Sequence, residues 1–339
     1  MAGHAGPIAV AVSGGGDSLA LMHLLAAFAA ARKLPAPVVL TVDHGLRQGS
    51  AADARKVAAW AKQAGLKAHV LAWRGRKAAT GIEAAAREAR YRLMGAWLVT
   101  HGIATLCVGH TQDDQAETFL LRLARGSGLD GLAAMAPIAP WPVAASKTDR
   151  FESLSVRRPL LALRRDDLRA HLTSLGQDWL DDPMNDDAAF DRVKVRNAAA
   201  ALAGAGLTPA RIAAAAAHLA RARAALEVVT DAVLARAART VPGGMLLDPS
   251  ALAAAPREVG LRALAAVLMA VSGQAYRPRF DALERLFDGL AKGKPATLHG
   301  CHIRPAAKRP GDSAPSVLLV SPESPRKTGS SGKSGISRA

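Results

Sequence analysis

The stretch Ile8-Ala9-Val10-Ala11-Val12-Ser13-Gly14-Gly15-Gly16-Asp17-Ser18 decides the fold. Ile8–Val12 is a short apolar run that predicts a buried strand. Ser13–Gly16 is a turn, and a helix is expected from about Asp17 to Arg32. Three consecutive glycines let the backbone approach a ligand and turn its N–H groups outward. The following helix N-terminus adds positive dipole, and the hydroxyls of Ser13 and Ser18 add donors, so the turn predicts an anion cradle. A lysine-containing Walker loop is excluded because no Gly-Lys-Ser/Thr is present. A dinucleotide fingerprint fails because Leu19 stands where its third glycine belongs. Asp17 beside phosphates makes sense with a metal or a donor between them, so we assign it to magnesium or to loop geometry.

Working outward, apolar runs and helical patterns alternate. Further strands are expected at Val38–Val42, Lys67–Leu71 and Ala104–Gly109. Helices are expected at Ala51–Ala64, Ile82–His101 and Asp113–Arg125. This alternation predicts a doubly wound α/β fold, a parallel sheet with helices on both faces, whose ligands sit at the carboxyl ends of the strands. Gly126–Met135 and Ala139–Asp149 read as loops, Ser155–Leu160 as an edge strand and Asp166–Leu175 as a short helix. An alanine-rich helical region follows, broken at Gly204–Thr208, where Thr208 before Pro209 is a good helix start. Later helices are expected near Arg257–Val271 and Phe280–Lys292, and a strand at Thr297–Ile303. The expected organisation is a catalytic domain over 1–200, a smaller helical domain over 206–295, a partial C-terminal segment over 296–321 and a disordered Ser/Gly/Lys tail over 322–339.

Composition narrows the partners. Half of the 339 residues are apolar, and 44 Lys and Arg outweigh 28 Asp and Glu for a net charge of +16. The tail accounts for only about +3 of this, so the folded part stays basic and a polyanion, nucleic acid ahead of membrane, is the expected partner. The two cysteines, Cys107 and Cys301, form no C-x-x-C pair, which argues against a disulfide scaffold or a cysteine metal site. No secretory signal is evident near Met1–Pro7, and no apolar run reaches the ~20 residues of a spanning helix. A cytoplasmic protein without membrane contact is expected, and a homodimer is compatible with the sequence.

Chemistry-bearing residues follow the strands. Asp43, His44 and Arg47 come after the second, where they suit nucleotide binding or placement of a nucleophile. His110, Asp113, Asp114 and Glu117 have spacing i, i+3, i+4, i+7, which puts them on one helix face. That face reads as a cation or amine site, or as an acidic helix start that complements the dipole. Arg122 and Arg125, before Gly126-Ser127-Gly128, suit phosphate or nucleic acid. Glu83, Arg87, Arg90 and Tyr91 recur at helical spacing, where salt bridging is the plain reading. Arg211, Arg221, Arg223, Arg236 and Arg239 in the helical region are candidate contacts to RNA phosphates.

In order, Ser13–Ser18, Val42–Arg47, Glu83-x3-Arg87-x2-Arg90-Tyr91, Gly109–Thr118, Leu120–Leu132, Arg158-Pro159-Leu160-Leu161 and Trp179-x2-Asp182-Pro183-x-Asn185 resemble the tRNA(Ile)-lysidine synthetase family of PP-loop ATPases over roughly the first 200 residues. The Ser13–Ser18 block is shared by all PP-loop enzymes, whereas His110–Thr118 and Trp179–Asn185 carry the family specificity. Val193 stands where the family commonly has asparagine, and the segment Thr297–Val320 is only a partial version of the C-terminal domain of long members. The resemblance implies three substrates, namely ATP, L-lysine and an isoleucine tRNA with a CAU anticodon, with Mg2+ on the phosphates. It implies attack of the cytidine carbon-2 oxygen on the α-phosphate, release of pyrophosphate, then attack of the lysine ε-amine on carbon 2 with loss of AMP. Asp43, His110, Asp113, Asp114 and Glu117 are the candidate catalytic residues, Ser13–Ser18 the ATP loop, and Arg47, Arg122, Arg125, Arg211 and Arg221 the candidate phosphate contacts. A PP-loop thiolase and a small-molecule PP-loop ligase are the alternatives. The first would need paired cysteines, and the second an ammonia source.

Overall fold

The architecture comes from a computed structural model, which describes residues 6–74, 81–143, 150–181, 191–274, 276–290, 294–306 and 317–323. Asp182, Pro183, Asn185 and Phe190, part of the 139–149 loop, the tail from 324 onward and the side chain of Glu83 lie outside the described set. The chain divides into two compact units, Met1–Arg221 and Ala222–Ala339.

The first unit opens with β1 (Ile8–Ala11), α1 (Gly16–Ala31), β2 (Val38–Asp43), α2 (Ser50–Gln63), β3 (Ala68–Ala72), α3 (Ile82–Thr100), β4 (Thr105–Cys107) and α4 (Gln112–Ala124). It continues with α5 (Leu129–Leu132), β5 (Ile138–Pro140), β6 (Ser155–Arg157), α6 (Arg165–Ser174), α7 (Asp191–Asn197), α8 (Ala199–Gly204) and the start of α9 (Pro209–Ala237). The strands form one six-stranded sheet of order β3-β2-β1-β4-β6-β5. All neighbours are parallel except β5, which runs antiparallel to β6. The strand order therefore reverses between β1 and β4, and ligands of open α/β sheets bind at that crevice.

Both faces of the sheet are covered, so its central strands are apolar on both sides. Val10 and Val12 pack with Leu19, Leu21 and Met22 of α1, Val57 of α2 and Leu168 and Leu172 of α6. Ala9, Leu40 and Leu106 pack on the other face with Tyr91, Met94 and Leu98 of α3 and with Trp141 and Phe151. Gly95 of α3 is required there, because a Cβ would stand 2.8 Å from the Phe151 ring.

The elements follow the expected alternation, with three differences. The predicted edge strand at Ser155–Leu160 is β6, and it lies inside the sheet between β4 and β5. The true edge, β5, is three residues long and falls in a region expected to be loop. The Gly126–Met135 segment contains the single turn of α5. Such short elements carry too few residues for a periodic pattern to reveal them.

The second unit begins inside α9, so the contact division comes later than the Gly204–Thr208 break. It holds β7 (Ala238–Val241), β8 (Gly244–Leu247), α10 (Pro249–Ala253), α11 (Arg257–Ser272), α12 (Phe280–Leu290), β9 (Ala296–Leu298), β10 (Cys301–Pro305) and β11 (Leu318–Pro322). Alongside the expected helices it contains a five-stranded sheet of order β7-β8-β11-β10-β9, in which every neighbouring pair is antiparallel. The expected strand at Thr297–Ile303 is two strands joined through His299 and Gly300, both with positive φ. Leu252, Leu264, Leu268, Ile303 and Val320 form this unit's core. Among the described residues, no helix is long and apolar enough to cross a membrane.

Leu172 is fully buried between α6 and α1. Leu172→Ala is expected to lower unfolding free energy by roughly 2–5 kcal/mol, the usual cost of a buried leucine, as read by urea denaturation.

Candidate functional site

The turn between β1 and α1 is built by its own groups. Gly14 has φ +98°, a conformation L side chains rarely adopt, and its carbonyl accepts the Leu180 N–H at 2.9 Å. A Cβ at Gly14 would lie 2.6 Å from Leu180 Cδ1, so the segment before residue 182 lies directly on the loop. Ser18 Oγ donates to the Gly15 carbonyl at 2.8 Å and accepts from the Ser13 N–H at 3.2 Å. Its hydroxyl thus shapes the loop. The Ser18 N–H donates to the Gly15 carbonyl at 3.1 Å, while the amides before it have no carbonyl one helical turn back and no side chain caps α1. Those N–H groups, with the helix dipole, form a place of the kind that accepts an anion. Gly109, at the end of β4, lets that strand approach α1, since a Cβ there would stand 3.0 Å from the Asp17 carbonyl.

The acids of α4 sit across the switch point from α1. Thr111 and Asp114 form a reciprocal capping box that starts α4. This satisfies one carboxylate oxygen of Asp114. Its other oxygen accepts from Arg165 Nη2 at 3.2 Å. The same guanidinium donates to Asp17 Oδ2 at 3.1 Å and to Glu117 Oε1 at 3.4 Å. The backbone N–H of Arg165 donates to Asp113 Oδ2 at 2.7 Å. Glu117 is buried and is also gripped by Arg196, at 2.6 Å from Nε to Oε1 and 3.2 Å from Nη2 to Oε2. Two arginines therefore hold the helix face that the sequence presents as purely acidic.

Burial pushes the Asp17 carboxyl above its usual range, against the opposing pull of the Arg165 guanidinium. Its Oδ1 is buried without a hydrogen-bond partner. A carboxylate oxygen in that position is ready for a cation.

These groups face one cavity of about 920 Å³. Ser13, Gly15, Gly16, Asp17 and Ser18 line it, as do Arg47, His110, Asp113, Asp114 and Glu117. Gly14, Asp43, Arg122, Arg125, Arg211 and Arg221 are not among the lining residues. Asp43 Oδ1 accepts the Gly45 N–H at 3.0 Å and the Ser50 hydroxyl at 2.6 Å, which folds the loop after β2. Arg47, at the cavity, pairs with Asp53 at 2.6 Å. Arg122 Nη1 donates to the carbonyls of Gly131 and Ala134, tying α5 to α4. Arg211 Nη1 donates to the Gly206 carbonyl, while Arg125 and Arg221 are exposed.

Sequence reasoning did not find Arg165 and Arg196. Each lies tens of residues from its partners, so no local spacing links them. The one available signal was physical. Three carboxylates converging at a buried strand end need positive charge nearby.

Asp17→Asn tests the electrostatics. A carboxyl with a raised folded pKa holds its proton in the folded state after the unfolded chain has lost it. Its contribution to stability is complete below about pH 3.9 and is lost as pH rises through the folded value. Asp17→Asn is therefore expected to match the parent in melting temperature near pH 3.5 and to exceed it at pH 7. A variant less stable at pH 7 would contradict this.

The comparisons with known proteins agree with this geometry. Residues 3–202 match the family model described as a PP-loop domain. The chain is 39% identical over 302 residues to the tRNA(Ile)-lysidine synthase of Ruegeria pomeroyi, spanning 89% of this chain and 70% of that one. It is 42% identical to that of Methylobacterium nodulans, over 96% of this chain and 93% of the relative. Against that of Bradyrhizobium sp. BTAi1 the figures are 39%, 95% and 91%. Among solved structures, the U34-tRNA thiolase NcsA of Methanococcus maripaludis superposes with a TM-score of 0.51 at 15% identity, over 63% of this chain and 72% of that one, a likeness of fold alone. A helix N-terminus without a side-chain cap at the sheet's switch point, a PP-loop domain match over residues 3–202 and relatives aligned along nearly the whole length give one conclusion: the chain belongs to the tRNA(Ile)-lysidine synthase family of PP-loop proteins.

Proposed function

We propose that this chain joins L-lysine to carbon 2 of the cytidine at the first anticodon position of an isoleucine tRNA with a CAU anticodon, consuming ATP and releasing AMP and pyrophosphate in the cytoplasm. The observation that carries the reading is the pairing, in one cavity, of a bare helix N-terminus with an arginine-bridged carboxylate cluster.

The amides at the start of α1 bind the β- and γ-phosphates and take up the charge that grows on pyrophosphate as the α–β bond breaks. Attack by the cytidine oxygen on the α-phosphate gives the AMP ester, in which carbon 2 carries a good leaving group. The lysine amine then attacks that carbon, AMP leaves and the C–N bond remains. Arg165 and Arg196 hold the cluster in place before substrate arrives, and the lysine ammonium shares Asp114 and Glu117 with them.

Free lysine is mostly protonated at neutral pH, with an ε-amine pKa of ~10.4, so a base is needed. We assign that role to His110, which lines the cavity beside the carboxylates and is of the residue type suited to proton transfer near neutrality. Asp43 folds the loop after β2 through its bonds to Gly45 and Ser50.

Magnesium suits the site in one respect. Among the described residues no three metal-binding side chains are placed to hold one ion between them, but Mg2+ on a nucleotide needs only one or two carboxylates besides phosphates and waters. Asp17, with its unpartnered Oδ1, is the residue that would hold it. Bound there, the ion would neutralise phosphate charge.

We further propose that the basic residues of the second unit, Arg223, Arg236 and Arg239 among them, contribute to holding the tRNA. The thiolase alternative lacks support from the cysteines, since Cys107 is buried and its thiol is pushed up to about 12.

Incubating the protein with ATP, labelled lysine and unmodified tRNA is expected to yield labelled lysidine on digestion. Pyrophosphate release should require tRNA but not lysine. Absence of labelled lysidine from active preparations would overturn the reading. His110→Ala is expected to keep tRNA-dependent pyrophosphate release while lysidine formation falls by about 10²–10⁴-fold, with partial recovery as pH rises toward the amine's own pKa. Equal loss of both steps would remove His110 from the role of base.

A further inference from the structure

The cavity has a second cationic wall that the chemistry above does not use. Arg87, Arg90, Tyr91 and Met94 of α3 line it. Arg87 lies with its guanidinium carbon 5.1 Å from the centroid of the Tyr91 ring. That ring is buried and fixed edge-on against Trp141 at 5.4 Å. Behind it is Arg158, which follows β6. Its backbone N–H donates to Pro137 and its Nη1 to the Ala136 carbonyl at 2.8 Å, while its Nε is buried without a partner. Burial lowers the pKa of Arg158, and the nearby Arg87 charge pushes the same way.

Among the described residues, neither Arg87 nor Arg158 has a carboxylate partner. This differs from the opposite wall, where Arg165 and Arg196 are matched by four acids. Arg87 on the cavity wall, with the like charge of Arg158 behind Tyr91 and no carboxylate partner for either among the described residues, favours an anion.

The reaction brings three anions: the ATP phosphates, the lysine carboxylate and the RNA backbone. The phosphate cradle is on the α1 face of the sheet, and Tyr91 and Met94 belong to the core of the opposite face. ATP phosphates are thus provided for elsewhere. Arg87 is exposed, which suits a polymer passing the cavity mouth better than a small molecule enclosed within it.

We propose that Arg87, supported by Tyr91 and Arg158, is a phosphodiester subsite that grips the RNA backbone next to the nucleotide entering the cavity. It is a positioning element, and it rests on the lysidine-forming reading for the identity of the RNA. The cation–π contact orients the guanidinium, whose planar fork matches two phosphate oxygens. Anchoring one backbone phosphate here orients the flipped base across the sheet toward the α-phosphate.

The test uses the full chain, unmodified tRNA(Ile) transcript bearing CAU, and the variants Arg87→Gln and Arg87→Lys. Equilibrium tRNA binding is titrated across a KCl series, and KM is measured separately for tRNA, ATP and lysine. Arg87→Gln is expected to raise Kd and KM for tRNA about tenfold and to make the log Kd against log salt slope shallower by roughly 0.7–0.9, one phosphate contact. KM for ATP and lysine stays unchanged, and Arg87→Lys retains the slope. An unchanged tRNA affinity and slope would overturn the subsite. A rise confined to ATP or to lysine would overturn it too, assigning the wall to that substrate. Parent protein that binds this tRNA but makes no lysidine would sink the lysidine reading, while the binding comparison still decides the subsite.

Discussion

The guanidinium of Arg165 is the interaction on which the site depends. It joins Asp17 at the start of α1 to Asp114 and Glu117 on α4, and its own amide fixes Asp113. Without it, four carboxyls would converge at a buried strand end with Arg196 on Glu117 and Arg169 near Asp17 left to balance them. Desolvation of that much negative charge is unfavourable, and like-charge repulsion would drive α1 and α4 apart. One arginine thus closes the switch point by joining α1 to α4. Helix α6 is the means of placing it. Leu168 and Leu172 bury themselves against α1, which sets the first residue of α6 over the cradle.

Much of this was legible in the chain because it is local. The Ser13–Ser18 turn lies where a strand must hand over to a helix, and alternating apolar runs announced a parallel sheet before any long-range contact was known. The capping chemistry of Thr111 and Asp114 also falls within four residues. What stayed hidden was non-local. Arg165 and Arg196 are ordinary arginines in sequence, and only the fold shows that Glu117 needs both. The short edge strand β5 escaped for a different reason. Three residues ending in proline carry no period, and their strand character comes from pairing with β6. The second unit's antiparallel sheet was similarly obscure, because its partner segments are separated by tens of residues and helices.

The positions of the candidate side chains sort them by task. Asp43, Arg122 and Arg211 each bond nearby backbone or loop groups, which adds to the local scaffold. Asp17 is different. It is a half-buried carboxyl with one buried, unpartnered oxygen, an arrangement that costs stability and makes sense where a cation or substrate completes it. The cavity thus has two electrostatic characters, a matched acid–base wall at α4 and α6 and a basic wall at α3, where Arg87 has no carboxylate partner among the described residues. This asymmetry suits a reaction that must accept a cationic amine and a polyanionic RNA at once.

The central claim is that the first-turn amides of α1 receive the terminal phosphates of ATP. The most direct measurement is a crystal structure of the protein with an ATP analogue that cannot be cleaved between its α- and β-phosphates. The account predicts the β- and γ-phosphates on the N–H groups after Ser13, with the α-phosphate directed toward the cavity that Asp114 and His110 line. Nucleotide bound elsewhere, with this turn empty at saturating analogue, would contradict it.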